Sequence, residues 1–63
     1  MRKTATLKKW YIEEYEGNYH LVGEVYNHIG FTNGTTVKTS ILLRIDFQEH
    51  EAETLNTHYF LED

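Results

Sequence analysis

A run of alternating apolar residues between Val37 and Phe47 is the feature that most constrains the fold of this chain. Apolar side chains recur at every second position through Ile41 and Leu43. This is the period of a β-strand, in which successive side chains point to opposite faces of the sheet. The other face begins polar, with Lys38. The run therefore predicts a strand with one buried face.

Three further strands are predicted around this one. Because the chain contains no proline, glycine marks the turns between them. A turn at 16–18 separates a first strand at 7–15 from a second at 19–28, and an Asn-Gly pair at 33–34 marks a tight turn before the third. A fourth strand is predicted at 54–61.

Residues 48–60 leave a choice between strand and helix. Ala52, Leu55 and Tyr59 have helical spacing. Against a helix, the segment is rich in β-branched and aromatic residues, and Leu55, Tyr59 and Leu61 share one face of a strand. We favour the strand.

The fold class follows from the distribution of apolar residues. Both faces of the first two strands carry them, whereas an open sheet with one wet face alternates more cleanly. We predict an all-β domain, an antiparallel meander of four to five strands that forms a small SH3-like or half-open barrel. One domain spans residues 1–63, with a flexible N-terminus at 1–5. The expected core comprises Trp10, Ile12, Leu21, Val25, Ile41, Leu43 and Tyr59.

The small size of the chain predicts self-association. A domain of 63 residues buries only about 60% of its unfolded surface, so its stability is marginal. The chain has no cysteine, which removes disulfides, thiolate metal sites and a cysteine nucleophile. We therefore expect a homo-oligomer, with a dimer as the default symmetry.

Charge and hydropathy limit the partners and the compartment. Ten acidic residues against six basic ones disfavour nucleic acid, because phosphate neutralisation supplies most non-specific affinity. Lys8-Lys9-Trp10-Tyr11 nevertheless has the character of a base-stacking platform; the alternative is that Trp10 belongs to the core. No apolar run approaches the about 20 residues that span a bilayer, and no signal peptide is recognisable. These features predict no membrane association and a cytoplasmic protein.

No motif for catalysis, metal or cofactor is present. His20 and Glu24 lie about 13 Å apart on one strand, so a metal would need a histidine from another strand, and we expect none. The glutamates adjacent to turns are expected to face water. Ser40 lacks a nucleophile elbow, and no glycine-rich phosphate loop occurs. We predict that the chain is not an enzyme and holds no cofactor.

A set of neutral polar residues suggests a binding site. If Asn33-Gly34 formed a two-residue hairpin loop, His28 would lie opposite Thr39 and Asn27 opposite Ser40. These groups could tie the end of a hairpin by hydrogen bonds, or they could line the rim of a small-ligand pocket beside aromatic rings. Lys38 and Arg44 are the nearest cations in sequence. The predicted ligand-binding or partner-binding residues are His28, Phe31, Asn33, Thr39, Ser40, Asn56 and Tyr59.

The segment from residue 20 to residue 61 resembles small proteins of phage, prophage and bacterial mobile elements. In that group a G-x-V-Y-x-H-x-x-F-x-x-G segment precedes T-S-x-I, and T-x-N-[ST]-x-Y-x-L closes the chain; this sequence carries GEVYNHIGFTNG, TSIL and TLNTHYFL. The resemblance implies an all-β domain with a C-terminal strand and a phage-accessory role in the bacterial host cell. Ile29-Gly30 replaces the Pro-Arg expected after the histidine, which weakens an anion-binding role for that loop.

These observations predict a small non-enzymatic binding protein. It would act by stoichiometric capture of a host protein or of a small nucleotide signal used in bacterial immunity. One alternative is a structural module of a larger assembly, with an exposed strand edge as its contact surface. The other is a nucleic-acid-binding small barrel.

Overall fold

The computed structural model describes residues 3–62, and they form a single all-β sheet. This confirms the predicted class, but the number of strands is six rather than four or five. The strands are β1 (Lys3–Tyr15), β2 (Asn18–Tyr26), β3 (Thr35–Lys38), β4 (Leu42–Asp46), β5 (Glu51–Thr54) and β6 (Thr57–Glu62).

The sheet is mixed rather than wholly antiparallel. Its order is β3-β2-β1-β6-β5-β4, so two antiparallel three-stranded meanders meet at a central parallel pair of β1 and β6. In that pair Lys3 lies beside Thr57 and Lys8 beside Glu62. Residues 3–5, expected in a flexible N-terminus, therefore belong to a central strand, and Ala5 is buried. Residues 1 and 2 of that segment lie outside the described residues.

The turn between β1 and β2 confirms the first glycine signal. Glu16 and Gly17 both have positive φ, at 51° and 83°, as a two-residue type I′ turn requires. Tyr15 then pairs with Asn18, so the asparagine begins the strand instead of lying in the turn.

The Asn-Gly pair does not form the predicted two-residue hairpin. Strand β2 ends at Tyr26, and its partner β3 begins only at Thr35, with Val25 opposite Thr35. Asn27 adopts a φ of 62° and turns the chain out of the sheet early. His28 therefore does not lie opposite Thr39, nor Asn27 opposite Ser40.

The long third strand is broken at residues 39–41. Thr39 ends the pairing of β3 with β2, and β4 starts at Leu42 with a bulge between Leu42 and Arg44. The break and the bulge change which side chains face the core. Leu42 packs against the core, whereas Leu43 is 58% exposed, so its predicted burial is wrong.

A second bulge lies in β1 between Lys8 and Tyr11, where Lys9 has a φ of 52°. It lets Leu7 and Trp10, three positions apart, both approach the interior. Trp10 is half-buried and packs against the core, with its ring stacked 6.5 Å from that of Phe47. Ile12, expected inside, is 39% exposed because it lies on the part of β1 that extends beyond β6.

The segment after residue 50 forms strands, as we favoured over a helix. It forms two strands, β5 and β6, rather than one. The turn between β5 and β6 is held by Thr54, whose hydroxyl accepts from the N–H of Thr57 and donates to its carbonyl.

The core of the described chain lies on one face of the sheet. Its buried apolar residues are Ala5, Leu7, Leu21, Val25, Val37, Ala52, Tyr59 and Leu61.

Residues 3–62 contain no helix that is long and apolar enough to cross a membrane.

Candidate functional site

One end of the core opens into a cleft of about 340 Å³. It lies where the loop after β2, the segment from β3 to residue 40 and the β5–β6 turn meet the start of β1. Six of the seven residues predicted for a site line it. The lining residues are Lys3, His28, Gly30, Phe31, Val37, Lys38, Thr39, Ser40, Asn56, Thr57 and Tyr59.

Asn33 is the predicted site residue that does not line the cleft. Its side-chain oxygen accepts a hydrogen bond from the backbone N–H of Asn27 at 2.8 Å. The asparagine therefore closes the loop that carries His28 and Phe31. In this structure its side chain shapes the loop.

His28 organises the aromatic wall of the cleft. The backbone N–H of Gly30 donates to its Nδ1 at 2.9 Å, and its Nε2 lies 3.3 Å from the hydroxyl of Thr57. Since Nδ1 accepts this hydrogen bond, the neutral ring carries its proton on Nε2, and the Nε2–H donates a hydrogen bond to the Thr57 hydroxyl. The imidazole packs edge-on against Phe31 at 4.9 Å and is stacked with Tyr59 at 6.5 Å.

Tyr59 forms the floor of the cleft. It is only 4% exposed, and burial raises the pKa of its phenol, while a hydrogen bond with the Thr57 hydroxyl acts in the opposite direction. Phe31 is 47% exposed. The ring surface that an incoming ligand can reach therefore belongs mainly to Phe31.

Thr39 makes hydrogen bonds that hold the chain after β3 against β2. Its hydroxyl accepts from the N–H of Leu21 at 3.0 Å and donates to the carbonyl of Ser40 at 2.9 Å. Its backbone N–H bonds the carbonyl of Leu21, and its carbonyl accepts from Nδ1 of His20. Thr39 therefore extends the β2–β3 pairing by one residue and then bends the chain toward β4.

Replacing Thr39 with valine should lower the free energy of unfolding by about 1–3 kcal/mol, because the buried N–H of Leu21 loses its acceptor. Thr36→Val, at an exposed position three residues earlier in β3, is the matched control and should change it by less than about 0.5 kcal/mol. Urea denaturation followed by circular dichroism measures both. Equal stability of the two variants would contradict the structural role of Thr39.

Ser40 and Asn56 are the polar side chains that remain available. Within residues 3–62 neither side chain makes a hydrogen bond to the protein, whereas His28, Thr39 and Thr57 are all engaged. Polar groups without an internal partner are the ones that can orient a ligand at no cost to the fold.

The cations of the cleft were not among the predicted site residues. The ammonium of Lys38 lies 2.8 Å from a carboxylate oxygen of Glu13 and above the ring of Tyr15. The hydrogen bond to Glu13 raises the pKa of Lys38, against a smaller opposing effect of desolvation. Arg44, the other cation considered, is directed to Glu53. Lys3 therefore provides the cation that is not held by a carboxylate of the described chain.

Lys3 could not have been found without the topology. The sequence placed it in a flexible segment, and only the parallel pairing of β1 with β6 brings it next to Thr57. No aspartate or glutamate occurs among the described residues that line the cleft. The cleft therefore has a positive local balance in an acidic chain.

The histidines are dispersed. His58 bonds Glu51 at 2.8 Å, and its Nδ1 is buried without a partner in the described structure. Within residues 3–62 no three histidine or carboxylate side chains are grouped so that they could hold a metal ion.

Comparisons of the chain with protein-family models, with curated proteins and with solved structures found no match.

Proposed function

We propose that the chain is a stoichiometric binding protein whose cleft takes a small, planar anion of the size of a nucleoside monophosphate. The observation that supports this most directly is the composition of the cleft. Among residues 3–62 it combines an accessible aromatic ring, two polar side chains without an internal hydrogen bond and one lysine without a carboxylate partner, and no carboxylate of these residues lines it.

Each part of such a ligand has a matching group. A base can stack on Phe31, and stacking of this kind contributes about 1–3 kcal/mol per base. Ser40 and Asn56 can donate to and accept from the polar edge of the base or the sugar. Lys3 can hold one phosphate, as a point charge. A single cation without a carboxylate partner, among the described residues of the cleft, favours a monophosphate over a polyphosphate or a polynucleotide.

Capture without turnover fits the resemblance to small phage and mobile-element proteins. A protein that sequesters a nucleotide signal of bacterial immunity needs affinity and abundance, but no catalytic group. Capture of a host protein is the second candidate, because Phe31 also stands at the mouth of the cleft as an exposed apolar group of the kind enriched in protein interfaces.

We also propose that the sheet curls into a half-open barrel. The two edge strands, β3 and β4, are joined by only three residues, and the N–H of Leu55 bonds the carbonyl of Ile41 in that connection. Contacts between β2 and β4 also cross the concave face. These features support a sheet curled into a half-open barrel of the SH3-like kind, with the cleft at its open end.

Lys3→Gln should raise the dissociation constant for the bound nucleotide about tenfold, since a hydrogen bond to a charged group contributes about 1.5 kcal/mol or more. Asn56→Ala should raise it about threefold to tenfold. The probes are AMP, GMP, CMP and UMP, measured one by one by isothermal titration calorimetry, after native mass spectrometry of the freshly purified protein.

Lys9→Gln is the matched control for the change of charge, because Lys9 is exposed and does not line the cleft. All three variants should keep the melting temperature of the native chain. Failure of all four nucleotides to bind the native chain would refute the proposal. Equal weakening by Lys3→Gln and Lys9→Gln would show attraction by net charge and would also refute it.

A further inference from the structure

The β1–β2 hairpin extends beyond the rest of the sheet and exposes a strand edge. β1 has 13 residues, but β6 pairs only with Lys3–Lys8. Beyond the bulge, Tyr11–Tyr15 pairs with β2 on one side, and no strand of residues 3–62 pairs with the other side. An unpaired edge presents backbone N–H and C=O groups that can extend a sheet into another chain.

The side chains of this extension are unusually apolar for an exposed hairpin. Tyr11, Tyr15 and Tyr19 are each more than half exposed, and Ile12 is 39% exposed. Tyrosine is enriched in protein interfaces because it adds contact area at a small cost in conformational entropy. The exposed edge and the exposed rings lie on the same nine-residue segment, 11–19, which indicates a contact surface.

The charges along the edge identify the partner. Lys9 lies at the end of the edge nearest β6, and Glu14 and Glu16 lie at its outer end. All three residues are exposed, and none is in an ion pair within the described chain. If a second copy pairs antiparallel along this edge, the basic end of each copy meets the acidic end of the other, and the contact occurs twice.

We propose that two copies of this chain form a two-fold dimer by antiparallel pairing of residues 11–15 of β1. The pairing joins two sheets edge to edge and brings Tyr11 and Tyr15 of each hairpin into the contact. The hairpin of one copy then continues the line of β6 of the other, in the space beside β1 that β6 leaves open. The proposal does not depend on what the cleft binds, although Lys38, which lines the cleft, contacts Glu13 and Tyr15 of this edge.

The dimer can be tested by reversing the charges at each end of the edge. One variant carries Lys9→Glu, and a second carries Glu14→Lys and Glu16→Lys. Each variant alone brings like charges together at both contacts, so its dimer dissociation constant should rise about tenfold or more. Mixing the two variants in equal amounts restores opposite charges at both contacts and should restore dimers.

Sedimentation equilibrium over a wide concentration range measures the native chain, each variant and the mixture. Glu49→Lys, an exposed residue in the turn between β4 and β5, is the control and should dimerise like the native chain. Circular dichroism should show that all variants remain folded. A native chain that stays monomeric, single variants that dimerise normally, or a mixture that stays monomeric would each overturn the proposal. If the native chain is monomeric, the partner of this edge would be a strand of a different protein.

Discussion

Leu7→Ala should lower the free energy of unfolding by about 2–5 kcal/mol, whereas Leu43→Ala should change it by less than about 0.5 kcal/mol. Leu7 is fully buried in a central strand, and Leu43 is 58% exposed. A domain of this size has only about 3–9 kcal/mol of stability. The first variant should therefore be partly or largely unfolded at room temperature.

The two leucine variants form a matched pair, because both remove the same atoms. Urea denaturation of both at one protein concentration gives the comparison, and a fixed concentration keeps any contribution from self-association the same for both. A larger loss for Leu43→Ala than for Leu7→Ala would mean that the strand register of β4 is the one expected from simple alternation.

Gly23→Val should lower the free energy of unfolding by about 3 kcal/mol, and Gly23→Ala should lower it by a smaller amount. A Cβ at residue 23 would lie 3.0 Å from the side chain of Leu7, from the carbonyl oxygen of Lys8 and from the Cα of Trp10. Two of these are backbone atoms of the bulge in β1, which cannot move without disturbing the central strand. Overpacking at a rigid site strains the native state.

Gly30→Ala is the control for the glycine series. Gly30 is exposed, and its added Cβ would approach only the ring of His28, at 3.3 Å. We expect the thermal midpoint of Gly30→Ala to stay within a few degrees of the native value. At position 23 the midpoint should fall from the native glycine to Gly23→Ala and fall further in Gly23→Val. A flat series at Gly23 would show that the bulge can shift and does not depend on the glycine.

The amino-acid sequence indicates that the chain is mostly β-strand, but it does not indicate where one strand ends and the next begins. Alternation and β-branched residues correctly identified the class, and the turn at Glu16-Gly17 was marked by glycine. The turn at Asn33-Gly34 also uses glycine, with Gly34 at a φ of 88°, but the chain leaves the sheet earlier, at Asn27, and Asn27 and His50 adopt left-handed conformations without being glycine. Thr39 bends the chain through side-chain hydrogen bonds instead.

Alternation also fails at a bulge, because one extra residue exchanges the two faces, and this explains the error at Leu43. Ile12 lies opposite the buried Leu21, but it is exposed because β1 extends beyond β6 there.

The parallel pairing of the first and last strands was beyond sequence reasoning. Neighbouring strands joined by short turns favour an antiparallel meander, and no local signal links residues near 5 to residues near 60. That pairing also assembles the cleft. The loop and turn residues were found because they are polar and lie beside aromatics, but Lys3 and Thr57 enter the site only through β1 and β6.

The hydroxyl and amide groups of the predicted site divide into two kinds once the contacts are known. Thr39 and Asn33 satisfy backbone groups of the protein, as the alternative of a hydrogen-bonded hairpin end anticipated. Ser40 and Asn56 have no such engagement. Composition cannot separate these cases, because the distinction depends on whether a buried N–H happens to lie within reach of each side chain.

The parallel pair in the centre of the sheet also governs when the fold can form. Lys3 and Thr57 are 54 positions apart in the chain, and closing so long a loop costs entropy before any contact repays it. Each meander has its own local turns, but each lacks a neighbour for its inner strand until the other is present. We therefore infer a late, concerted docking step, in which nearly the whole described chain must be available before either half gains a stable core.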